Sequence, residues 1–267
     1  MLNGMQMAIV GKDIRAIASN SRMLAAVIAM PLVLTVILPL VMMLPVSFAS
    51  PGSQALRQFS GMLGAGAHGA MSTDDLRRAI LELIFNRVMP MIFLVLPVVA
   101  SGVMAAGSFV GEKDRGTMET LLYCPLSLGK IFAAKIMASF FVGFGVAVAS
   151  FAAMALAVMV GVSAAAGFRI APDANWLVVM LLVSPSMSLI AIGLVVRASA
   201  KARSSEEAYA RSLLLVIPVA MLALGQFHGF LAMDIRAFLA AGAALAAAAA
   251  LMLRVSSRKF RHEALLH

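Results

Sequence analysis

VMPMIFLVLPVVASGVMAAGSFV, Val88 to Val110, contains no charged residue, and the segment after it, GEKDRGTMETLLYCPLSLGK from Gly111 to Lys130, brings four charges in succession, Glu112 to Arg115. A helix needs about 20 apolar residues to cross the hydrocarbon core of a bilayer. The first stretch meets that length, and the second returns the chain to water. The composition agrees: of 267 residues, 62% are hydrophobic and 12% charged, with a mean hydropathy of +0.99. Soluble domains run at about 25% charged. So much apolar surface behind so few charges must face lipid. A soluble enzyme, a secreted disulfide scaffold and a disordered tail are excluded, and the lone Cys124 cannot form an internal disulfide.

Working outward by the same criterion gives an all-α membrane protein, one transmembrane domain over 1–267. Spans are expected at about 23–49, 88–110, 131–168, 175–196, 212–227 and 237–253, the third free of charge from Ile136 and the last two short. Six spans place both termini on one side. With the N-terminus cytoplasmic, fifteen of the 21 Lys and Arg fall inside, including Lys12, Arg15, Lys130 and Lys135, and six fall outside. Positive charge concentrates in cytoplasmic loops, so N-in and C-in is selected, with 254–267 a basic cytoplasmic tail. The net charge of +9 is then topological, and nucleic acid is not an expected partner. A cleaved signal peptide at the first span is the weaker reading, because its apolar run far exceeds an h-region of about 7–15 residues.

Between the spans, residues 1–22 carry an amphipathic stretch in which Met7, Val10, Ile14 and Ile17 share one helical face, with Lys12, Asp13 and Arg15 off it. A helix in the cytoplasmic interface is expected there. The external loop 50–87 ends in STDDLRRAILELIFNRV, where Ser72 and Asp75 resemble a capping box and Leu76, Ile80, Leu83 and Ile84 form an apolar stripe. An external helix lying on the membrane or on neighbouring spans follows.

Several motifs dissolve on inspection. Gly64, Gly66 and Gly69 match G-x-G-x-x-G but lie in an external loop, not between a strand and a helix. Gly129-Lys130 lacks both the first glycine of a phosphate-binding loop, replaced by Cys124, and the Ser or Thr after it, replaced by Ile131. The 21 Met lack a Cys or His cluster and read as apolar filler, so neither a catalytic residue nor a metal site is expected. No carboxylate lies inside a span, which removes the feature most expected of an ion-coupled transporter. Prolines punctuate the spans at 31, 39, 45, 90, 97, 185 and 218. The most polar of these sites holds Ser184, Ser186 and Ser188; their hydroxyls line a path between subunits or bond the preceding turn. With Gln226 they are the candidates for a substrate path.

The loop 111–130 reads as a short helix between turns. Thr117 can cap its start, Met118, Leu121 and Leu122 share a face, and Pro125 stops it at Cys124. Ser127 can cap the next helix. An apolar stripe on a short cytoplasmic helix packs on its own spans or docks into a soluble partner.

This loop resembles the permease subunit of ABC-2-type ATP-binding-cassette exporters, whose pattern runs close to E-K-x-R-G-T-x-E-x-L-L-x-x-P-[LV]-S followed by Gly-Lys. Glu112, Lys113, Arg115, Gly116, Thr117, Glu119, Leu121, Leu122, Pro125, Leu126 and Ser127 fit; the later pair reads Ala134-Lys135. Lys12-Asp13 resembles the family's opening. The resemblance implies a coupling helix from about Thr117 to Tyr123 seated on a separate ATPase, with Glu112, Lys113, Asp114, Arg115, Gly116, Thr117, Met118, Glu119, Leu121, Leu122, Pro125 and Ser127 forming the ATPase-coupling set. It implies two permease chains enclosing the path, ATP and Mg2+ on the ATPase and none on this chain, and a multi-pass protein of a bacterial cell (plasma or inner) membrane surrounded by lipid. It also implies a re-entrant segment after the fifth span, near 228–236, where a simple loop is the alternative. The cargo expected from a charge-free interior is amphipathic, lipidic, a drug or a peptide. A sodium or other small-ion exporter of the same family, a non-ABC secondary transporter, and a membrane anchor without cargo are the alternatives.

Overall fold

The computed structural model describes residues 4–19, 31, 33–54, 56–57, 72–114, 128–199 and 235–263, with single positions at 21, 25 and 210. Among these residues the chain is helical and contains no strand. Three helical runs are long and apolar enough to cross a membrane, Thr73–Phe109, Gly129–Ala166 and Ala174–Ala198, and two shorter apolar helices cover Val33–Ser47 and Phe238–Arg254. The expected fifth span at 212–227, with Gln226 and 228–234, lies outside the described residues.

Helix α1 is Gly4–Ala18, and α2 is Leu38–Ser47. Next come α3, Thr73–Leu83, α4, Met89–Phe93, and α5, Val95–Asp114. Helix α6 is Leu128–Leu156, α7 Ser163–Ala166, α8 Ala174–Val178, α9 Ser184–Ser199 and α10 Ile235–Glu263. Helix α5 is the axis of the molecule. It packs along both α6 and α9, which also touch each other, while α10 covers α9 and α1 lies along α6. Burial follows from that placement: 94% of the apolar window in the run Thr73–Phe109 is buried, against 28% in Gly129–Ala166. The outer faces carry Phe141, Leu156, Val160, Leu177 and Leu181, all exposed. An exterior of that kind belongs in lipid.

Prolines widen the helices rather than break them. A π-helical turn occupies Val33–Ile37, another Ile84–Val88 and a third Val179–Val183. Each starts six residues before a proline and ends two before it: Pro39, Pro90 and Pro185. Proline lacks the N–H that would bond the carbonyl four residues back, and its ring clashes with that carbonyl. Letting the preceding turn slip to a wider spacing moves the clash aside and keeps most of the backbone paired, which a bilayer demands. Hydroxyls contribute to the same end. Thr35 donates to the Pro31 carbonyl at 2.6 Å and Ser47 to that of Met43 at 3.0 Å. A fourth π turn, Ala157–Val162, has no proline; Ser163 just beyond it donates to the Val158 carbonyl at 3.3 Å.

The helix expected outside the membrane and the second span are one continuous run of 37 residues, Thr73–Phe109. At 1.5 Å per residue that is about 55 Å, longer than the roughly 30 Å hydrocarbon core. Ser72 caps its start, accepting from the Asp75 N–H at 3.2 Å. Ile80 and Ile84 of the expected stripe are buried, and Leu76 and Leu83 pack against them. This far end of the molecule is tied together by polar contacts. Arg77 donates to the Ala49 carbonyl after α2, and Asn86 donates to the Ala171 carbonyl and accepts from the Asp173 N–H. Beneath them Trp176 contacts Phe85, Phe93 and Phe151 with ring centroids 5.7, 5.5 and 4.9 Å apart. Gly167, at φ 79°, closes α7 in the left-handed conformation that only glycine adopts without strain.

Helices α5 and α6 touch at backbone level. A Cβ on Gly143 would lie 2.6 Å from Ser101 Cβ and 3.0 Å from its Cα and N, whereas one on Gly145 would meet nothing within 4 Å. Gly143→Leu should therefore cost at least about 1–3 kcal/mol by overpacking, and Gly145→Leu close to nothing. Unfolding midpoints of the two variants in detergent check this; equal midpoints would contradict the contact.

Candidate functional site

The loop 111–130 leaves α5 and enters α6 at one end of the molecule, opposite the Arg77 and Asn86 contacts. Glu112, Lys113 and Asp114 form the last turn of α5, and α6 starts at Leu128. Arg115, Gly116, Thr117, Met118, Glu119, Leu121, Leu122, Pro125 and Ser127 lie outside the described residues. Helix α1 and the last turns of α10 lie at this same loop end.

Where the two helices approach the loop they are joined by a buried polar layer. Asp13 and Lys135 have side chains only 5% exposed. Ser108 Oγ donates to Asp13 Oδ2 at 2.5 Å. Lys135 Nζ donates to Ser108 Oγ at 3.3 Å and to the Ser108 carbonyl. The direct Lys135–Asp13 separation is 3.9 Å, so the serine hydroxyl carries the contact between the charges. Lys135 Nζ also sits 5.7 Å from the Phe109 ring centroid, which supplies a face of partial negative charge.

Helical spacing explains the layer. Val10, Met104 and Ala138 form a small apolar cluster between α1, α5 and α6, with Val142 beside it. Asp13 is three residues beyond Val10, Ser108 four beyond Met104, and Lys135 three before Ala138 on the antiparallel α6. Positions three or four apart share a helix face. Each helix thus contributes one apolar and one polar residue to two stacked layers, the polar one nearer the loop.

This corrects two sequence expectations. Asp13, placed off the apolar face of α1, is buried, while Met7 and Ile14 of that face are 62% and 42% exposed. Lys135, counted among the positives of the cytoplasmic side, is a buried residue inside α6. The available signal was a Lys embedded in apolar sequence, KIFAAKIMA, in a chain with few charges.

The serine segment is buried in the middle of the bundle. Ser184 and Ser188 are fully buried and Ser186 is 5% exposed. Ser186 donates to the Leu182 carbonyl at 2.6 Å, the back-bond to the preceding turn. The Ser184 and Ser188 hydroxyls have no partner among the described residues. The Ser188 carbonyl accepts from Ser101 on α5 at 3.4 Å. Among the described residues no cluster of His, Cys, Asp and Glu could hold a metal ion.

The family described as ABC-2 family transporter protein matches residues 7–256, from α1 through the loop to the end of the apolar part of α10. The chain belongs to the ABC-2 transporter family. No curated protein and no solved structure matches it. It is therefore the membrane permease of an ABC-type transporter, and the buried polar layer of this ABC-2 permease lies directly beside its charged loop.

Removing one member of a buried ion pair leaves the other uncompensated and costs about 3–5 kcal/mol, whereas removing both is close to neutral. Lys135→Met should lower the permease's stability by that order, and adding Asp13→Asn should restore most of it. Chemical denaturation of the two variants in detergent is the check, and additive losses would contradict the pairing.

Proposed function

We propose that this chain is the transmembrane subunit of an exporter whose energy comes from ATP hydrolysed on a separate ATPase. Two permease chains enclose the transport path, and the chain itself binds no nucleotide and performs no catalysis. ATP and Mg2+ belong to the ATPase. The observation that carries the reading is the family match across residues 7–256, which includes a loop with Glu112, Arg115, Gly116, Thr117, Glu119 and the Leu121-Leu122 pair.

In this reading the loop end faces the cytoplasm. Fifteen of the 21 positive residues fall on that side, in keeping with the positive-inside rule. The short helix from about Thr117 to Tyr123 seats its apolar stripe on the ATPase, and Glu112 to Arg115 relay its movement to α5. The chain resides in the cell membrane of a bacterium. The cargo is amphipathic or lipidic, a drug or a peptide. Ser184, Ser186, Ser188 and Gln226 are the polar residues assigned to its path.

Leu121→Asp places a charge in the contact with the ATPase, a cost of a few kcal/mol when the charge is buried unpaired. The variant should insert into the membrane at wild-type levels but retain the ATPase at least about tenfold less well, and charge reversal with Glu112→Lys should uncouple hydrolysis from transport. Co-purification of the partner ATPase, and ATP-driven transport in proteoliposomes over a panel of amphipathic substrates, provide the measurement. Normal ATPase retention and transport by both variants would overturn the coupling role.

A further inference from the structure

Both ends of the 111–130 loop lead to the same carboxylate. Ser108 lies six residues before the end of α5 at Asp114, and Lys135 lies seven residues after the start of α6 at Leu128. At 1.5 Å per residue these are distances of about 9 and 10 Å along continuous helix. Two hydrogen-bonded turns of helix move as a rigid piece. A displacement of the loop therefore arrives at Ser108 and Lys135 with little loss.

What happens there depends on the chemistry of the contact. The apolar layer of Val10, Met104 and Ala138 is non-directional and lets helices slide. The polar layer does not. Ser108 holds Asp13 at 2.5 Å and is itself held by Lys135 at 3.3 Å, and hydrogen bonds weaken steeply once stretched or bent. Helix α1 must follow α5 and α6.

The remainder of α1 is built to pass that motion on. Lys12 and Arg15 are exposed beside the exposed Met7 and Ile14, a mix of charge and apolar surface suited to the headgroup boundary. Its C-terminal end leads into the segment that continues to α2. We propose that Asp13, Ser108 and Lys135 form a latch that carries movement of the 111–130 loop into α1 and so to the first apolar helix, giving the transporter a second transmission route besides α5 itself. The three are positioning residues: none touches nucleotide or cargo. The proposal rests on the reading above, that the loop seats an ATPase.

The test is amide hydrogen exchange of the permease–ATPase complex in lipid nanodiscs, with and without ATP, Mg2+ and vanadate. In the wild type, nucleotide should change exchange both in 111–130 and in 4–18. In Asp13→Asn/Lys135→Met, a neutral pair of similar shape, the response of the loop should persist. The response of 4–18 should fall about fivefold or more, the lower end of typical site-to-site couplings. Ser108→Ala, which keeps both charges, should reduce the 4–18 response in the same direction, so the outcome does not hinge on the double variant folding well. A merely structural role would raise exchange in 4–18 equally with and without nucleotide and leave the difference between states intact; that result overturns the latch. So does a wild-type α1 that ignores nucleotide while the loop responds. A wild-type chain that retains no ATPase overturns the exporter reading and the latch with it, and is told apart by a loop that shows no nucleotide response.

Discussion

Backbone amides and carbonyls in hydrocarbon have no water to turn to, and the architecture of this permease follows from that constraint. Prolines test it most severely, because each deletes a donor inside a helix that cannot unfold into solvent. The chain answers with π turns at Val33–Ile37, Ile84–Val88 and Val179–Val183 and with hydroxyls at Thr35 and Ser186 that bond back to the preceding turn. The helices stay continuous through these sites. That continuity lets a single run extend from Thr73 to Phe109 and makes α5 the axis on which the other elements are placed.

Charge obeys the same economy. The far end holds its polar contacts at the rim, where Arg77, Arg78 and Asp74 keep part of their side chains exposed. The loop end instead buries two opposite charges between helices and joins them through Ser108. A buried pair of this kind contributes little net stability compared with an apolar substitute. It ties α1 to α5 and α6 through directional hydrogen bonds, which the apolar layer beside it does not supply.

Much of this was legible in the sequence. The runs expected at 88–110, 131–168 and 175–196 fall in the three long apolar helices, the described part of 23–49 forms the shorter apolar helix Val33–Ser47, and the Ser72–Asp75 cap and the Ile80/Ile84 stripe appear as expected. Periodicity failed on α1 because it sorts residues by hydropathy, and Asp13 is buried for its partner rather than for its hydropathy. Lys135 was hidden for the matching reason: a charge near the end of an apolar run reads as loop until a carboxylate from a distant segment is found against it. The prolines were visible, but local sequence does not say whether a helix kinks, stops or widens there. The candidate loop was legible through the family resemblance that its residues carry, and the family match spans it.

A π turn has one further effect. It acts as a single extra residue in an α-helix, and one residue is about 100° of rotation. Everything downstream is turned by that amount relative to an uninterrupted helix. The turn at Val179–Val183 thus sets the azimuth of α9, deciding that Ser184, Ser188 and Ala191 point inward while Leu181, before the rotation completes, points out. Within this span the hydropathic pattern is written in two phases, and a residue inserted or deleted near 180 would turn everything after it by about 100° against its neighbours.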